Sequence, residues 1–338
     1  MDNENLETDV LIIGSGPVGL FCVFELGQLG IKSLVIDSLE EIGGQCTALY
    51  PEKPIYDIPA YPKISAVDLI KNLSLQIEPF KPIIELNQKV IELKNIDDKY
   101  EIRTTANKVI KAKCVIIAAG SGAFGPNKPH VENISKFENK SIFYSVKNKS
   151  IFNKKKVVIA GGGDSAVDWA IELSKICEKI YFVHRREKLR AAPSNVSKLK
   201  EICATGLVEM IIPFQISNLV GKDGKLDEII VKDFDNNSLN LKADYFLPFF
   251  GLSSDLGPIK DWELSIENGN LKVDQSTCQT SKKGIFAVGD VCTYSGKLKL
   301  ILTGFSEAAM AAHSCYKRIF PNKTLRFEYS TSKGINKL

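Results

Sequence analysis

Short apolar runs rich in β-branched residues recur along this chain, and glycine follows the first of them. Val10–Ile13 is followed by Gly14 and then by a segment whose apolar residues have helical spacing. A second apolar run, Leu34–Ile36, ends in Asp37. Runs of this kind predict buried parallel strands, and helical spacing between them predicts a helix that packs on the sheet. The start of the chain therefore predicts a β-α-β unit.

The same pattern returns in the middle of the chain. Val157–Ala160 is followed by three glycines and a segment with helical spacing, and Ile180–Val183 then ends at His184. Alternating strands and helices predict an α/β fold, here with two three-layer, Rossmann-like dinucleotide-binding domains. Turn-forming residues concentrate near 120–129 and 246–251, so we expect one domain to be inserted into the other. The expected domains are 1–120 with 250–338, including a C-terminal extension over 321–338, and 121–249.

Composition narrows the class of protein. The chain has 338 residues, of which 44% are hydrophobic and 25% charged, as is usual for a globular protein of two domains. The N-terminus is acidic and polar, and no apolar segment is as long as a membrane span, so we expect a cytoplasmic protein without membrane contact. A net charge of +4 gives no argument for nucleic-acid binding.

Cysteine and histidine usage bears on redox and metal chemistry. The eight cysteines are scattered without any C-x-x-C pair, and there are three histidines. Reduced thiols and the absence of a metal site are therefore expected.

The first glycine loop has the spacing Gly-x-Gly-x-x-Gly between a strand and a helix. In such a loop the first glycine allows a tight turn, the second lets a pyrophosphate approach the backbone, and the third lets helix and strand pack closely. The helix also directs free N–H groups at the phosphates. A plain turn is the alternative, but strand, glycines, helix and acid in register favour a dinucleotide. The predicted site consists of Gly14, Ser15, Gly16, Pro17, Gly19 and Asp37, with the acid accepting from ribose hydroxyls.

The second glycine loop differs from the first at the position of the acid. His184 stands there, and arginines follow it. An acid would repel a 2′-phosphate, whereas guanidinium groups bind phosphate through paired, charge-assisted hydrogen bonds. An exposed, charged helix start is the alternative interpretation. We favour NADP over NAD, bound by Gly162, Gly163, Asp164, Ser165, Ala166, Arg185, Arg186 and Arg190.

With both loops and the element G-I-F-A-V-G-D at 284–290, the chain resembles the two-dinucleotide-binding flavoproteins. In that family the first Rossmann domain holds FAD and the inserted one holds NADPH. Over nearly its whole length the chain is similar to the ferredoxin–NADP reductases of thioredoxin-reductase type. Thioredoxin reductases carry C-x-x-C in the NADPH domain, where residues 143–147 contain no cysteine. Lipoamide and glutathione reductases carry a cysteine pair where this chain has Cys46 alone.

The resemblance implies roles for further residues. Asp37 would bind the adenosine ribose of FAD, while Gln45 and Tyr50 would lie along the flavin half, with the Tyr50 ring against one face of the isoalloxazine. The other residues implied to contact FAD are Val90 at the adenine, Phe124 in the hinge loop, Asp290 at the ribityl chain, Tyr329 over the second flavin face, and Thr331 in the tail.

The resemblance also implies an activity. NADPH would deliver a hydride to FAD, which would pass single electrons to ferredoxin or flavodoxin; no side-chain acid or nucleophile is needed, so no catalytic residue is named. We also expect a homodimer. The lysine-rich stretch 136–156 is either a docking patch for an acidic partner or a solvated linker. An NADPH-dependent quinone or small-molecule reductase and a non-catalytic NADPH-sensing flavoprotein stay open as alternatives.

Overall fold

The structure, a computed structural model, describes residues 5–325 and residue 334. It consists of two compact units. The first unit comprises Met1–Ala123 and Ser254–Leu338, and the inserted unit comprises Phe124–Ser253. Both crossings between the units fall a few residues after the boundaries expected above.

The first unit begins with alternating strands and helices. In chain order they are β1 (Asn5–Ile13), α1 (Pro17–Gln28), β2 (Ser33–Ile36), α2 (Gln45–Ala48), β3 (Pro54–Ile55), β4 (Ile64–Ser65), α3 (Ala66–Ile77), β5 (Ile83–Glu85), β6 (Val90–Ile96), β7 (Lys99–Thr104) and β8 (Val109–Ile117). The apolar spacing predicts α3 as far as Phe80, but the α-helix ends at Ile77 and a 3-10 turn follows. Pro79 explains the difference, because it has no N–H to continue the helix.

The inserted unit and the return to the first unit follow. These elements are β9 (Ala123–Pro126), β10 (Lys156–Ala160), α4 (Asp164–Leu173), β11 (Lys179–Val183), α5 (Pro193–Ala204), β12 (Val208–Ile211), β13 (Gln215–Lys222), β14 (Lys225–Lys232), β15 (Ser238–Lys242), β16 (Tyr245–Pro248), β17 (Leu252–Asp255), β18 (Ile266–Glu267), β19 (Asn270–Lys272), β20 (Ile285–Ala287), β21 (Cys292–Thr293) and α6 (Ile301–Ile319).

The main sheet of the first unit has the strand order β5-β2-β1-β8-β7-β6, and β20 also pairs with β8. Its parallel strands end at one level. Ile13 at the end of β1 lies beside Ile36 of β2 and Ile117 of β8, and Ile117 lies beside Ala287 of β20. The loops after these four strands therefore meet at the same edge, which is where ligands of α/β sheets bind.

Both faces of β1 are covered, as its continuous apolar run predicts. Val10 and Ile12 belong to a core formed with α1, α3 and α6. Leu11 and Ile13 belong to the core on the opposite face, together with residues of β7 and β8 and Trp262. A strand buried on both faces holds the loop at its end in a fixed position.

The inserted unit repeats this plan on a smaller scale. Its parallel sheet has the order β12-β11-β10-β16, and β13, β14 and β15 form a separate antiparallel sheet. Ala160 at the end of β10 lies beside Val183 of β11, so the second glycine loop and His184 share one edge. Among the described residues, no helix combines the length and the apolar character needed to cross a bilayer.

Candidate dinucleotide sites

The glycine loop after β1 contains two glycines that the fold itself requires. Gly14 has φ +110°, and a Cβ there would lie 2.4 Å from the carbonyl oxygen of Ala118. A Cβ at Gly19 would lie 1.9 Å from the carbonyl oxygen of Gly14. Neither position can accept a side chain, because backbone atoms cannot move aside.

Packing within the chain does not require a glycine at the middle position, Gly16. A Cβ at Gly16 would meet only the Cα of Gly44, at 4.0 Å, and the φ of Gly16 is −65°. Gly16 precedes Pro17, the first residue of α1, and no side chain caps that helix start. The loop therefore leaves space and free N–H groups where a pyrophosphate would sit.

Asp37 closes this loop from the end of β2. Its Oδ2 accepts hydrogen bonds from the N–H (2.6 Å) and hydroxyl (2.7 Å) of Ser15, and its Oδ1 accepts from the N–H of Leu39 (2.9 Å). A carboxylate accepts about four hydrogen bonds, so one site remains for a ribose hydroxyl. The sequence indicated the acid but not its bond to Ser15, which also holds the loop in place.

A second loop, between β2 and α2, lies against the first. The N–H of Gly43 donates to the carbonyl of Ser15 at 2.9 Å. Gln45 begins α2, and its Nε2 donates to the hydroxyl of Ser121 at 3.2 Å, just after β8. Gln45 therefore lies at the sheet edge where the glycine loop lies.

Tyr50 and Asp290 lie close enough to interact. The Sγ of Cys46 is 3.9 Å from the Oη of Tyr50. Burial raises the pKa of the Cys46 thiol to about 11, and the negative charge of Asp290 contributes to the rise. The pKa of Tyr50 is raised by burial and, to a lesser degree, by Cys46 and Asp290. Asp290, which is distant in the chain, thus lies near Cys46 and Tyr50.

Other predicted FAD contacts are placed less fully. Val90 begins β6 with its side chain buried, so only its backbone can face a ligand. Just before it, the N–H of Gln88 donates to the carbonyl of Asp37 at 2.9 Å, which places this strand start near the acid. Phe124 lies in strand β9 rather than in a loop, at the start of the inserted unit. Tyr329 and Thr331 lie outside the described residues.

In the inserted unit, the first two glycines after β10 are again fixed by packing. A Cβ at Gly161 would lie 2.5 Å from the carbonyl oxygen of Phe249, and a Cβ at Gly162 would lie 2.2 Å from Cε1 of His184. The ring of His184 therefore packs directly on the glycine loop.

The start of α4 is open in the way that the start of α1 is. Nothing lies within 4 Å of a Cβ built at Gly163, and no side chain caps the helix there. Ser165 is exposed, whereas Ala166 is buried. A Cβ at Gly161 would lie 2.8 Å from the Cβ of Ala166, so the loop and the helix pack too closely here for a large side chain at position 166.

The arginine segment is a loop that folds back on the glycine loop. The N–H of Arg190 donates to the carbonyl of Gly162 at 2.6 Å, and the N–H of Ala192 donates to Oδ1 of Asp164 at 2.8 Å. α5 begins only at Pro193. The alternative of a charged helix start is therefore wrong, and Asp164 ties the two loops together.

The charges of this loop face outward. Arg185, Arg186 and Arg190 are exposed. His184 is buried, and its Nε2 has no hydrogen-bond partner among the described residues. Burial, followed by the three nearby arginines, lowers the pKa of His184, although a backbone hydrogen bond at Lys188 opposes this. An anion at this edge would meet concentrated positive charge.

No exposed dithiol is available to relay electrons, because the two thiols that contact each other, Cys114 and Cys315, are both buried. All eight cysteines are free, and only Cys203 is not buried. Burial raises the pKa of Cys278 and of Cys292 to about 12. These thiols stay protonated at neutral pH and are poor nucleophiles. Among the residues that the structure describes, no cluster of histidine, cysteine and carboxylate side chains is suited to a metal.

We expect thiol reagents to leave turnover intact. In the native protein, a chromogenic disulfide reagent should label Cys203 first, because the other thiols are buried, and all eight should react only after unfolding. NADPH-dependent reduction of ferricyanide should be unchanged by the native labelling. Loss of turnover while FAD stays bound would show that a thiol takes part in the reaction.

Comparison with known proteins identifies the family. The model of the pyridine nucleotide-disulphide oxidoreductase family matches residues 8–314. The chain belongs to this family. A ferredoxin–NADP reductase of Rickettsia felis is 57% identical over 326 residues, which is 96% of this chain and 97% of the relative. One of Rickettsia conorii is 57% identical over 330 residues, 98% of this chain and 97% of the relative.

Solved structures of other proteins share the fold. A thioredoxin reductase of Lactococcus lactis has a TM-score of 0.78 at 24% identity, covering 93% of this chain and 99% of that one. A bacillithiol disulfide reductase of Staphylococcus aureus has a TM-score of 0.77 at 18% identity, with the same coverage. The predicted α/β fold with two Rossmann-like domains and the predicted resemblance to ferredoxin–NADP reductases are confirmed.

One buried charged cluster beside the predicted FAD residues was missed by the sequence analysis. Behind Asp290, the carboxylate of Glu307 is fully buried in α6 and paired with Lys297. The signal was present as a single acid on the apolar face of a helix, among Gly304, Ala308 and other small buried residues. Buried carboxylates are rare unless they are paired.

Proposed function

We propose that this chain is a ferredoxin–NADP reductase that oxidises NADPH and transfers the electrons to ferredoxin or flavodoxin. One observation carries the proposal. Each unit has a glycine loop at its sheet edge that leaves open space, at Gly16 in the first unit and at Gly163 in the inserted unit. Asp37 lies at the first loop, whereas exposed arginines lie at the second. Two different dinucleotides fit these loops, and the relatives from Rickettsia bear the name of this activity.

The first unit is the FAD domain in this proposal. Gly16 and the start of α1 receive the pyrophosphate, and the remaining acceptor site of Asp37 binds the adenosine ribose, which carries no phosphate. Asp290 holds the ribityl chain, and Tyr50 packs against the isoalloxazine. FAD held by these residues would supply the chemistry that takes up a hydride from NADPH and releases electrons one at a time. The backbone of Val90 meets the adenine, and Gln45, Phe124, Tyr329 and Thr331 complete the contacts.

The inserted unit is the NADP domain. The open space at Gly163 and the free N–H groups of α4, with Ser165 at the helix start, receive the pyrophosphate. Arg185 and Arg186 bind the 2′-phosphate, with Arg190 beside them. The bond from Ala192 to Asp164 holds the arginine loop in position, so the charges are arranged before the coenzyme binds.

The acceptor is a protein rather than a disulfide. The buried, protonated thiols favour this assignment, as does the lysine-rich stretch 136–156, which suits an acidic ferredoxin or flavodoxin. A cytoplasmic homodimer belongs to the same proposal. Light scattering at micromolar concentration tests the dimer.

A steady-state assay with ferredoxin, flavodoxin and a quinone at physiological salt tests the function. We expect the highest kcat/KM with ferredoxin or flavodoxin. A preference for quinone would favour the small-molecule reductase instead. In stopped-flow absorbance, NADPH should bleach the flavin rapidly, and ferredoxin should restore it. Slow bleaching would indicate a sensor rather than an enzyme.

Charge reversal tests the docking patch. Lys155 lies 3.9 Å from Asp244 and Lys156 lies 3.4 Å from Glu178, so reversing these two would also disturb ion pairs. Lys154 is exposed and is the better choice together with Lys147. Lys147→Glu with Lys154→Glu should lower kcat/KM for ferredoxin and weaken its salt dependence, because steering is screened over about 10 Å at 0.1 M salt.

The matched control reverses two lysines of α5, Lys198 and Lys200, which are also exposed in the inserted unit. Ferricyanide reduction by NADPH should be unchanged in both variants. An unaltered salt profile toward ferredoxin in the Lys147/Lys154 variant would place the docking surface elsewhere.

A further inference from the structure

The buried carboxylate of Glu307 is surrounded by donors. It accepts from the ammonium of Lys297, from the hydroxyl of Tyr294 at 2.6 Å and from the N–H of Gly289 at 2.7 Å. The thiol of Cys292 lies 3.6 Å from the carboxylate and 3.3 Å from the carbonyl oxygen of Gly289, so its single proton can serve either acceptor. The side chains of Glu307 and Lys297 are 0% and 4% exposed. All these groups belong to the segment after β20, so one side chain of α6 binds this segment at several points.

We propose that Glu307 is a positioning residue for FAD: it fixes the turn Gly289–Val291 so that Asp290 faces the flavin site. This inference rests on the proposed function. The N–H that Glu307 binds belongs to the residue directly before Asp290. The negative charge of Asp290 contributes to the raised pKa of Cys46 and of Tyr50, so the turn brings this carboxylate into the neighbourhood of those two residues.

Packing alone does not account for a buried ion pair at this place. Two charges lose their hydration on burial, and an apolar pair of the same volume often stabilises a fold equally well or better. An apolar pair cannot accept a backbone N–H, however. The property that distinguishes Glu307 is therefore its hold on Gly289 and Tyr294.

The helix that carries Glu307, α6, also packs against the start of α1, which follows the first glycine loop. A Cβ at Gly304 would lie 2.3 Å from Cγ2 of Val18 in α1 and 3.4 Å from the Cα of Gly289. Gly304 thus lets α6 lie against the start of α1 and against the Asp290 turn together. Glu307, one turn further along α6, therefore binds the Asp290 turn from a helix that also packs on the start of α1.

Two double variants distinguish the effect of the hydrogen-bond acceptor of Glu307 on FAD binding from the effect of its charge. Glu307→Gln with Lys297→Met removes both charges and keeps an oxygen for the N–H of Gly289. Glu307→Met with Lys297→Met removes the oxygen as well. FAD is titrated into each apo-protein, and flavin fluorescence gives Kd. We expect the Gln variant to bind FAD like the wild type, and the Met variant about tenfold more weakly or worse.

Further measurements exclude a general loss of structure. Both double variants should still give a folded apo-protein with a cooperative melting transition, and NADP binding to the inserted unit should be unchanged. The control variant is Glu263→Gln, which removes an exposed ion pair of the first unit. Glu263 lies 2.7 Å from Lys282, and its replacement should not change FAD affinity. If the Met variant fails to fold, Glu307→Asp keeps the charge but shortens the reach. It should weaken FAD binding and speed hydrogen exchange over residues 288–292.

Equal FAD affinity in the Gln and Met double variants would overturn the inference, as would unchanged affinity and exchange in Glu307→Asp. Failure of the wild-type apo-protein to bind FAD would instead overturn the proposed function, so the two failures are distinguishable.

Discussion

Replacing Arg185 and Arg186 together by alanine should lower kcat/KM for NADPH by about a hundredfold and leave kcat/KM for NADH unchanged. Each guanidinium would lose a charge-assisted bond to the 2′-phosphate, which NADH does not have. Both arginines are exposed, so their removal leaves no buried partner unpaired. Initial rates of ferricyanide reduction with each coenzyme give the ratio.

The control for this variant is Lys198→Ala with Lys200→Ala. It removes two positive charges from the exposed side of α5 in the same unit, and it should leave the ratio of NADPH to NADH efficiency as in the wild type. If the arginine variant kept the wild-type ratio, the 2′-phosphate would have to bind at another place.

Alanine at Gly16 and alanine at Gly19 should have opposite effects on binding and stability. Gly16→Ala should abolish FAD retention, because the methyl group occupies the space of the pyrophosphate. The nearest atom of the chain is 4.0 Å from that methyl, so the free energy of unfolding of the apo-protein should change by no more than about 1 kcal/mol.

Gly19→Ala should instead destabilise the apo-protein by about 3 kcal/mol, because its methyl would lie 1.9 Å from the carbonyl oxygen of Gly14. Absorbance of the purified proteins reports FAD content, and urea unfolding of the apo-proteins reports stability. In the inserted unit, Gly163→Ala should raise KM for NADPH while FAD is retained. A yellow, fully loaded Gly16→Ala protein would contradict the assignment of the first loop.

The sequence indicated both glycine loops, the acid after β2 and its replacement by arginines after β11. These features are local. A tight turn, an open helix start and a charge at the end of a strand depend on residues within about one β-α-β unit. Asp37 and Arg185 could therefore be singled out without a structure.

Other features of the sites depend on contacts between segments far apart in the chain. The bond between Ser15 and Asp37, the bond between Arg190 and Gly162, and the approach of Asp290 to Tyr50 were not predictable from spacing. The alternative of a charged helix start at the arginines was wrong, because the backbone there bonds to the glycine loop instead.

The sequence by itself determined which residues follow each parallel strand, since continuous apolar runs specify buried strands and the residues behind them form the loops. Only the tertiary structure decided which of these loops meet. Ile13, Ile36, Ile117 and Ala287 end at one level because of strand register, and register is set by packing across the whole sheet. The same packing brought Glu307 of α6 to the Asp290 turn, where a carboxylate in an otherwise apolar helix face finds its donors.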